Sequence, residues 1–178
     1  VWHNARRYPS TRKTSTISGM NNIAELLRLI NNLIRIGTIA KISYGDPAAN
    51  PPVPPLVRVQ CGELLTGWIR WIESRAGTTR TWCPPTLGEQ VVIIAPGGDL
   101  NTAFVLTGLF SERHRAPSDH GEHFHAVMPD GATVDYNHVE KHLTFDTPGD
   151  ITITAKGDIR ITANGDLHLK GSKIFENA

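Results

Sequence analysis

Residues 149–172 read GDITITAK, GDIRITAN and GDLHLKGS, three units of eight residues that each open on Gly-Asp (Gly149-Asp150, Gly157-Asp158, Gly165-Asp166). A fixed short period marks stacked repeats rather than a globular domain. Within the units Ile151/Ile153, Ile159/Ile161 and Leu167/Leu169 stand at i and i+2 and share one face. Thr152, Arg160 and His168 take the other face. Each unit therefore predicts one short, half-buried strand closed by a Gly-Asp turn. Three such strands cannot enclose a core. Burying one Ile or Leu is worth roughly 1.5–3 kcal/mol, so six left in water are costly. Winding three identical chains about an axis buries the three stripes against each other and leaves no lateral edge strand open. The spacing thus predicts a C-terminal triple-stranded, intertwined β-helix over residues 127–178, formed as a homotrimer. Its axial core would be Ile151, Ile153, Ile159, Ile161, Leu167 and Leu169. A single-chain β-helix is the alternative, and it usually needs longer coils and more of them.

Upstream, residues 112–126 (ERHRAPSDHGEHFHA in outline, polar and His-rich) predict a linker between modules, and Pro129-Asp130-Gly131 signals a hairpin turn. Residues 37–111 read as all-β. Alternating or apolar runs at 37–42, 56–61, 68–72, 90–95 and 103–110 are separated by Gly/Pro turns, and the five prolines of 46–55 demand a loop. Five or six short strands of this kind predict an OB-like barrel. Before it, Ile23, Leu26, Leu27, Ile30, Leu33 and Ile34 follow helical spacing over residues 20–36, with Asn22 and Glu25 in capping-box positions and Gly37 as the stop. So short a helix is marginal alone and must dock. Residues 1–19 carry Arg6, Arg7, Arg12 and Lys13, no acidic residue and no apolar period, which predicts a disordered or non-native extension ahead of a start at Met20.

The whole chain of 178 residues is mainly β by this pattern, with a net charge of +1 and only 7% aromatic residues. Near-neutrality argues against a protein that works by neutralising phosphates. No run of 18 apolar residues is present to cross a membrane as a helix, and no secretory signal pattern is seen. Cys61 and Cys83 are too few for a disulfide framework or a four-ligand zinc site, and predict buried reduced thiols in a cytosol-made protein.

The order of helix, OB-like barrel, linker and octads resembles the baseplate assembly protein V, or central tail spike, family of contractile-tailed phages and R-type pyocins. The resemblance rests on Pro84-Pro85-Thr86-Leu87-Gly88-Glu89-Gln90-Val91, on Pro96-Gly97-Gly98-Asp99 and on Thr107-Gly108-Leu109. The stretch Met128 to Tyr136 and the Gly-Asp octads complete it. It implies a homotrimer at the centre of a baseplate, held by hub and tail tube proteins and driven through a target cell's outer membrane when the sheath contracts. Residues 111–128 leave no room for the lysozyme domain inserted in some large spikes. Many relatives hold iron at the tip through a C-terminal His-x-His. Here only His168 stands near the C-terminus, so no cofactor or metal is expected, and Ile174 and Phe175, or a separate tip protein, would close the apex.

No catalytic motif stands out, so no enzymatic activity is expected. His123-Phe124-His125 is the one His-x-His, and its expected role is a polar strand or loop surface rather than a metal site. The function class competing with the spike is an OB-fold protein binding single-stranded nucleic acid through Trp68, Trp71 and Trp82 beside Arg70, Arg75 and Arg80. Such aromatics more often fill a core or a subunit contact. The charge of +1 favours a structural needle without a nucleic-acid partner.

Overall fold

The computed structural model describes residues 15–175. The chain divides into two compact units with the break after Ala116, inside the expected linker.

The first unit opens on α1 (Ser15–Leu33) and passes directly into β1 (Ile34–Ser43). Ser15–Gly19, expected in an unstructured extension, are the first turns of α1; residues 1–14 lie outside the described residues. The physical reason is propagation. A glycine costs a helix only about 1 kcal/mol, and a helix already nucleated adds one hydrogen bond per residue. Glu25 therefore lies inside the helix rather than in a capping box. It bonds Arg28 on the surface, at 2.7 and 2.8 Å. Gly37 is not a stop either but a buried position within β1. A Cβ there would stand 2.6 Å from both the Gln60 carbonyl oxygen and Val59 Cγ1. The missing side chain is what lets β2 approach.

The barrel strands are β2 (Leu56–Cys61), β3 (Leu64–Leu65), β4 (Arg70–Trp71), β5 (Gln90–Ile94) and β6 (Phe104–Leu109), in the order β3-β2-β1-β5-β6-β4. β1 serves two neighbours. Ile34 to Thr38 pair with β5, and Thr38 to Ser43 pair with β2. A register shift between Ile39 and Lys41 bends the strand between them, as bulges do. β4 runs parallel to β6. Val57 and Ile69 then exchange two 2.9 Å amide bonds and bring the sheet back to β2. That closes the OB-like barrel.

Its core is aliphatic: Ile39, Val57, Val59, Ile69, Val91, Ile93, Ala95, Ala103 and Val105. So narrow a barrel has room inside for small branched side chains. Trp68 and Trp82 are consequently exposed and Trp71 half-buried, so of the two expected roles, core or subunit contact, they do not take that of the barrel core. Cys83 is exposed and Cys61 half-buried, where burial pushes the Cys61 thiol up, so the pair are not two buried thiols. The buried Thr66 hydroxyl accepts the Val59 amide at 2.9 Å, which satisfies a donor that would otherwise be orphaned beside β3.

The 73–83 loop is organised by one carboxylate. Glu73 accepts from the Cys83 amide (2.9 Å), the Thr81 hydroxyl (2.9 Å) and its neighbour Ser74 amide (3.1 Å). The Cys83 amide leads in holding this carboxyl below its ordinary 4.5, against the burial that raises it. A depressed carboxyl contributes stability above its unfolded pKa and loses it as pH falls through the folded one. Acidification is therefore expected to change the fluorescence of the adjoining Trp71 and Trp82 with a midpoint below 4.5, a transition that Glu73→Gln removes. A midpoint above 4.5, or the same curve in the variant, would contradict this.

In the second unit β7 (His123–Val127), β8 (Thr133–Asn137) and β9 (His142–Asp146) form an antiparallel meander. β7 begins within the stretch expected as linker. The Pro129-Asp130-Gly131 turn joins β7 to β8, with Gly131 at φ +90° and the Met128 amide bonded to Ala132 at 2.8 Å. Beyond Asp146, bends recur at Pro148-Gly149, Lys156-Gly157 and Asn164-Gly165, the octad spacing read from the sequence. Among the described residues, no strand pairing involves 147–175 in the single chain.

Candidate oligomerisation surface

Strand alternation divides the β7-β8-β9 sheet into two unlike faces. Phe124, Tyr136 and Leu143 stand opposite one another across the three strands, as do Ala126, Val134 and Phe145. These two ladders make one face apolar. His123, His125, Asp135, Asn137, His142 and Thr144 occupy the other. Phe124, Tyr136, Leu143 and Phe145 are all exposed, so among the described residues the apolar face has no cover in its own chain.

The expected axial residues carry on from this face. Ile151 and Ile153 line an open cleft of about 620 Å³ with Met128, Val134 and Phe145. Ile159, Ile161, Leu167 and Leu169, and the expected apex residues Ile174 and Phe175, are not gathered into a core within one chain. All eight are between 52 and 77% exposed. Large apolar side chains left exposed in such number mark a site of association. Phe145, Val134 and Met128 lie outside the octads and join the surface through the sheet, Phe145 by strand alternation. The signal was present in the alternation of His142 to Asp146, which has the same period-2 pattern as the octads.

In the first unit α1 meets the barrel through its Leu29 and Asn32 side. Asn32 is buried, the Ala95 amide bonds the Leu33 carbonyl at 2.9 Å, and Gly98 lies directly under Leu29. The Ile23, Leu26, Leu27, Ile30 and Leu33 stripe, expected to dock, faces away and stays exposed. Leu29 and Asn32, three residues apart, lie on a different face of α1 from the stripe, and that face is the one the Gly98 turn lies against.

Outside the barrel, Trp82 packs edge-on to Tyr44 (6.3 Å between ring centres) and obliquely to Trp71 (5.8 Å). Trp71 and Trp82 line a groove of about 240 Å³ that also takes in Pro54, Pro55, Arg70, Arg75, Arg80 and Glu73.

Residues 48–110, which include most of the barrel, match the sequence model of the Type VI secretion system/phage-baseplate injector OB domain. The barrel is thus an injector-type OB domain. The spike protein of Escherichia phage P2 is 39% identical over 134 residues, which cover 75% of this chain. The match spans 60% of that protein's length. The two similarities together support the phage baseplate spike family.

Proposed function

We propose that this chain is the central spike of a contractile-tail baseplate, acting mechanically rather than as an enzyme. Three copies assemble through their octads, with Ile151, Ile153, Ile159, Ile161, Leu167 and Leu169 on the axis and Ile174 with Phe175 towards the apex. The apolar face of β7-β8-β9 joins the same core. The injector OB domains attach to hub and tail tube proteins, and the C-terminal needle passes through the target's outer membrane when the sheath contracts. The observation that carries this is the uncovered apolar stripe at octad spacing, in a chain that also bears the injector OB domain. Stiffness comes from interchain backbone hydrogen bonds around a dry core. A closed prism of this sort exposes no edge to the membrane it crosses.

Particles assembled with the native chain are expected to release periplasmic enzyme from target cells, and particles carrying Ile161→Asp are not. Equal release by both would overturn the piercing role. The Tyr44, Trp71 and Trp82 cluster beside three arginines supports a second reading, in which the barrel stacks single-stranded nucleic acid. Strong, salt-dependent retention of single-stranded DNA on filters would favour it. Glu73 in the same groove and the net charge of +1 weigh against it.

A further inference from the structure

The polar face of β7-β8 holds three donors that converge. Asp135 stands directly across from His125, and a single carboxylate oxygen, Oδ2, accepts from His123 Nδ1 at 2.6 Å and from His125 Nδ1 at 2.8 Å. The two imidazoles stack with ring centres 5.2 Å apart and planes 19° from parallel. His123 Nε2 in turn meets the Ser118 hydroxyl at 2.6 Å. All three side chains are mostly buried, and one ligand atom from each lies within 4.8 Å of the others.

We propose that His123, His125 and Asp135 bind a divalent first-row transition ion, one per chain. Two imidazoles and a carboxylate are a borderline donor set that suits zinc, cobalt or iron(II) and does not suit calcium, which takes oxygen ligands. A tetrahedral ion holds nitrogen at about 2.0–2.1 Å and carboxylate oxygen at about 2.0–2.2 Å, which separates its ligands by roughly 3.3 Å. Each Nδ1 therefore needs to part from Oδ2 by only roughly 0.5–0.7 Å from its hydrogen-bonded distance, a shift within reach of the side chains of a fixed backbone ladder. A fourth position is left for water. The Ser118 hydroxyl orients His123 through its other ring nitrogen, as outer partners of metal-bound histidines do. The ion would tie β7 to β8 on the face opposite the apolar ladders, so the site does not depend on how the apolar face is covered.

The test uses the full, untagged chain, stripped with chelator and titrated with Zn²⁺ by calorimetry and with Co²⁺ by visible absorption. The expected result is one ion per chain, a cobalt spectrum of low-symmetry nitrogen and oxygen coordination, and no competition from excess Ca²⁺. His123→Ala is expected to weaken Zn²⁺ binding by more than the roughly 10–100-fold typical of losing an outer partner. Asp135→Asn, which keeps the shape of the side chain, is expected to do the same while melting like the metal-free native chain, and so decides the matter if His123→Ala fails to fold. His168→Ala, a histidine on the octads, should leave binding unchanged. No bound ion, or equal binding by the native chain and Asp135→Asn, would assign the cluster to hydrogen bonding alone and overturn the proposal.

Discussion

Replacing Ile153 or Ile161 by Asp is expected to leave the chain monomeric. In the three-chain arrangement each substitution brings three carboxylates together on the axis. Each chain loses roughly 1.5–3 kcal/mol of apolar burial and gains a desolvation cost of several kcal/mol for its charge. Together these cost on the order of 5 kcal/mol per chain, and three chains bring the loss to about the whole stability of a typical domain. Thr152→Asp places the same charge one residue away, on the opposite face of the strand, and is expected to leave the assembly intact. Light scattering on the two variants at position 152 and position 153 reads the difference directly. Equal behaviour of the two would show that the octad alternation does not define an inside and an outside.

Gly98→Ala is expected to be the most disruptive single methyl in the first unit. Gly98 has φ +74°, in the region that L side chains rarely adopt. A Cβ there would stand 2.6 Å from the Leu29 Cα and 2.7 Å from its carbonyl carbon, both in the backbone of α1. Backbone cannot swing aside as a long side chain can, so the helix must lift from the barrel. About 1 kcal/mol for the φ and about 1–3 kcal/mol for overpacking give a loss of roughly 2–4 kcal/mol. Gly97 is the control, with φ +64° and open space where its Cβ would go. Gly97→Ala is expected to cost only the conformational part, about 1 kcal/mol. Thermal unfolding of the two variants separates the terms. A Gly98→Ala chain that melts no lower than Gly97→Ala would contradict the packing of α1 on this turn. The contrast also gives a physical reason for the second glycine of Pro96-Gly97-Gly98-Asp99, one of the stretches that carry the family resemblance.

Much of this architecture is legible from local pattern. The barrel strands announce themselves by alternation and by Gly/Pro turns, and the octads by their period, because both signals lie within a few residues. What pattern does not carry is the identity of the covering surface. The α1 stripe reads as a face that must be buried, yet the barrel takes the Leu29 and Asn32 side, through a glycine platform about seventy residues away in the chain. The tryptophans mislead for a related reason. Composition marks them as core candidates, and only the closed strand order shows how little room the barrel interior has.

The metal-site residues sit between these cases. His123 and His125 stand out as a His-x-His, but Asp135 emerges only from the hairpin register. With Pro129-Asp130-Gly131 as the turn, positions equidistant from Asp130 face each other, and His125 and Asp135 are such a pair. The turn and the histidines were each readable; their combination required the strand pairing to be followed residue by residue.

Three copies of this chain are expected to share one core through their octads. The mass of the purified 178-residue chain in solution, by sedimentation equilibrium, reads the number of copies. A single species of three times the 19.5 kDa chain mass is expected, unchanged on dilution through the micromolar range. A species of one chain mass, with the native sequence and a folded barrel, would contradict it.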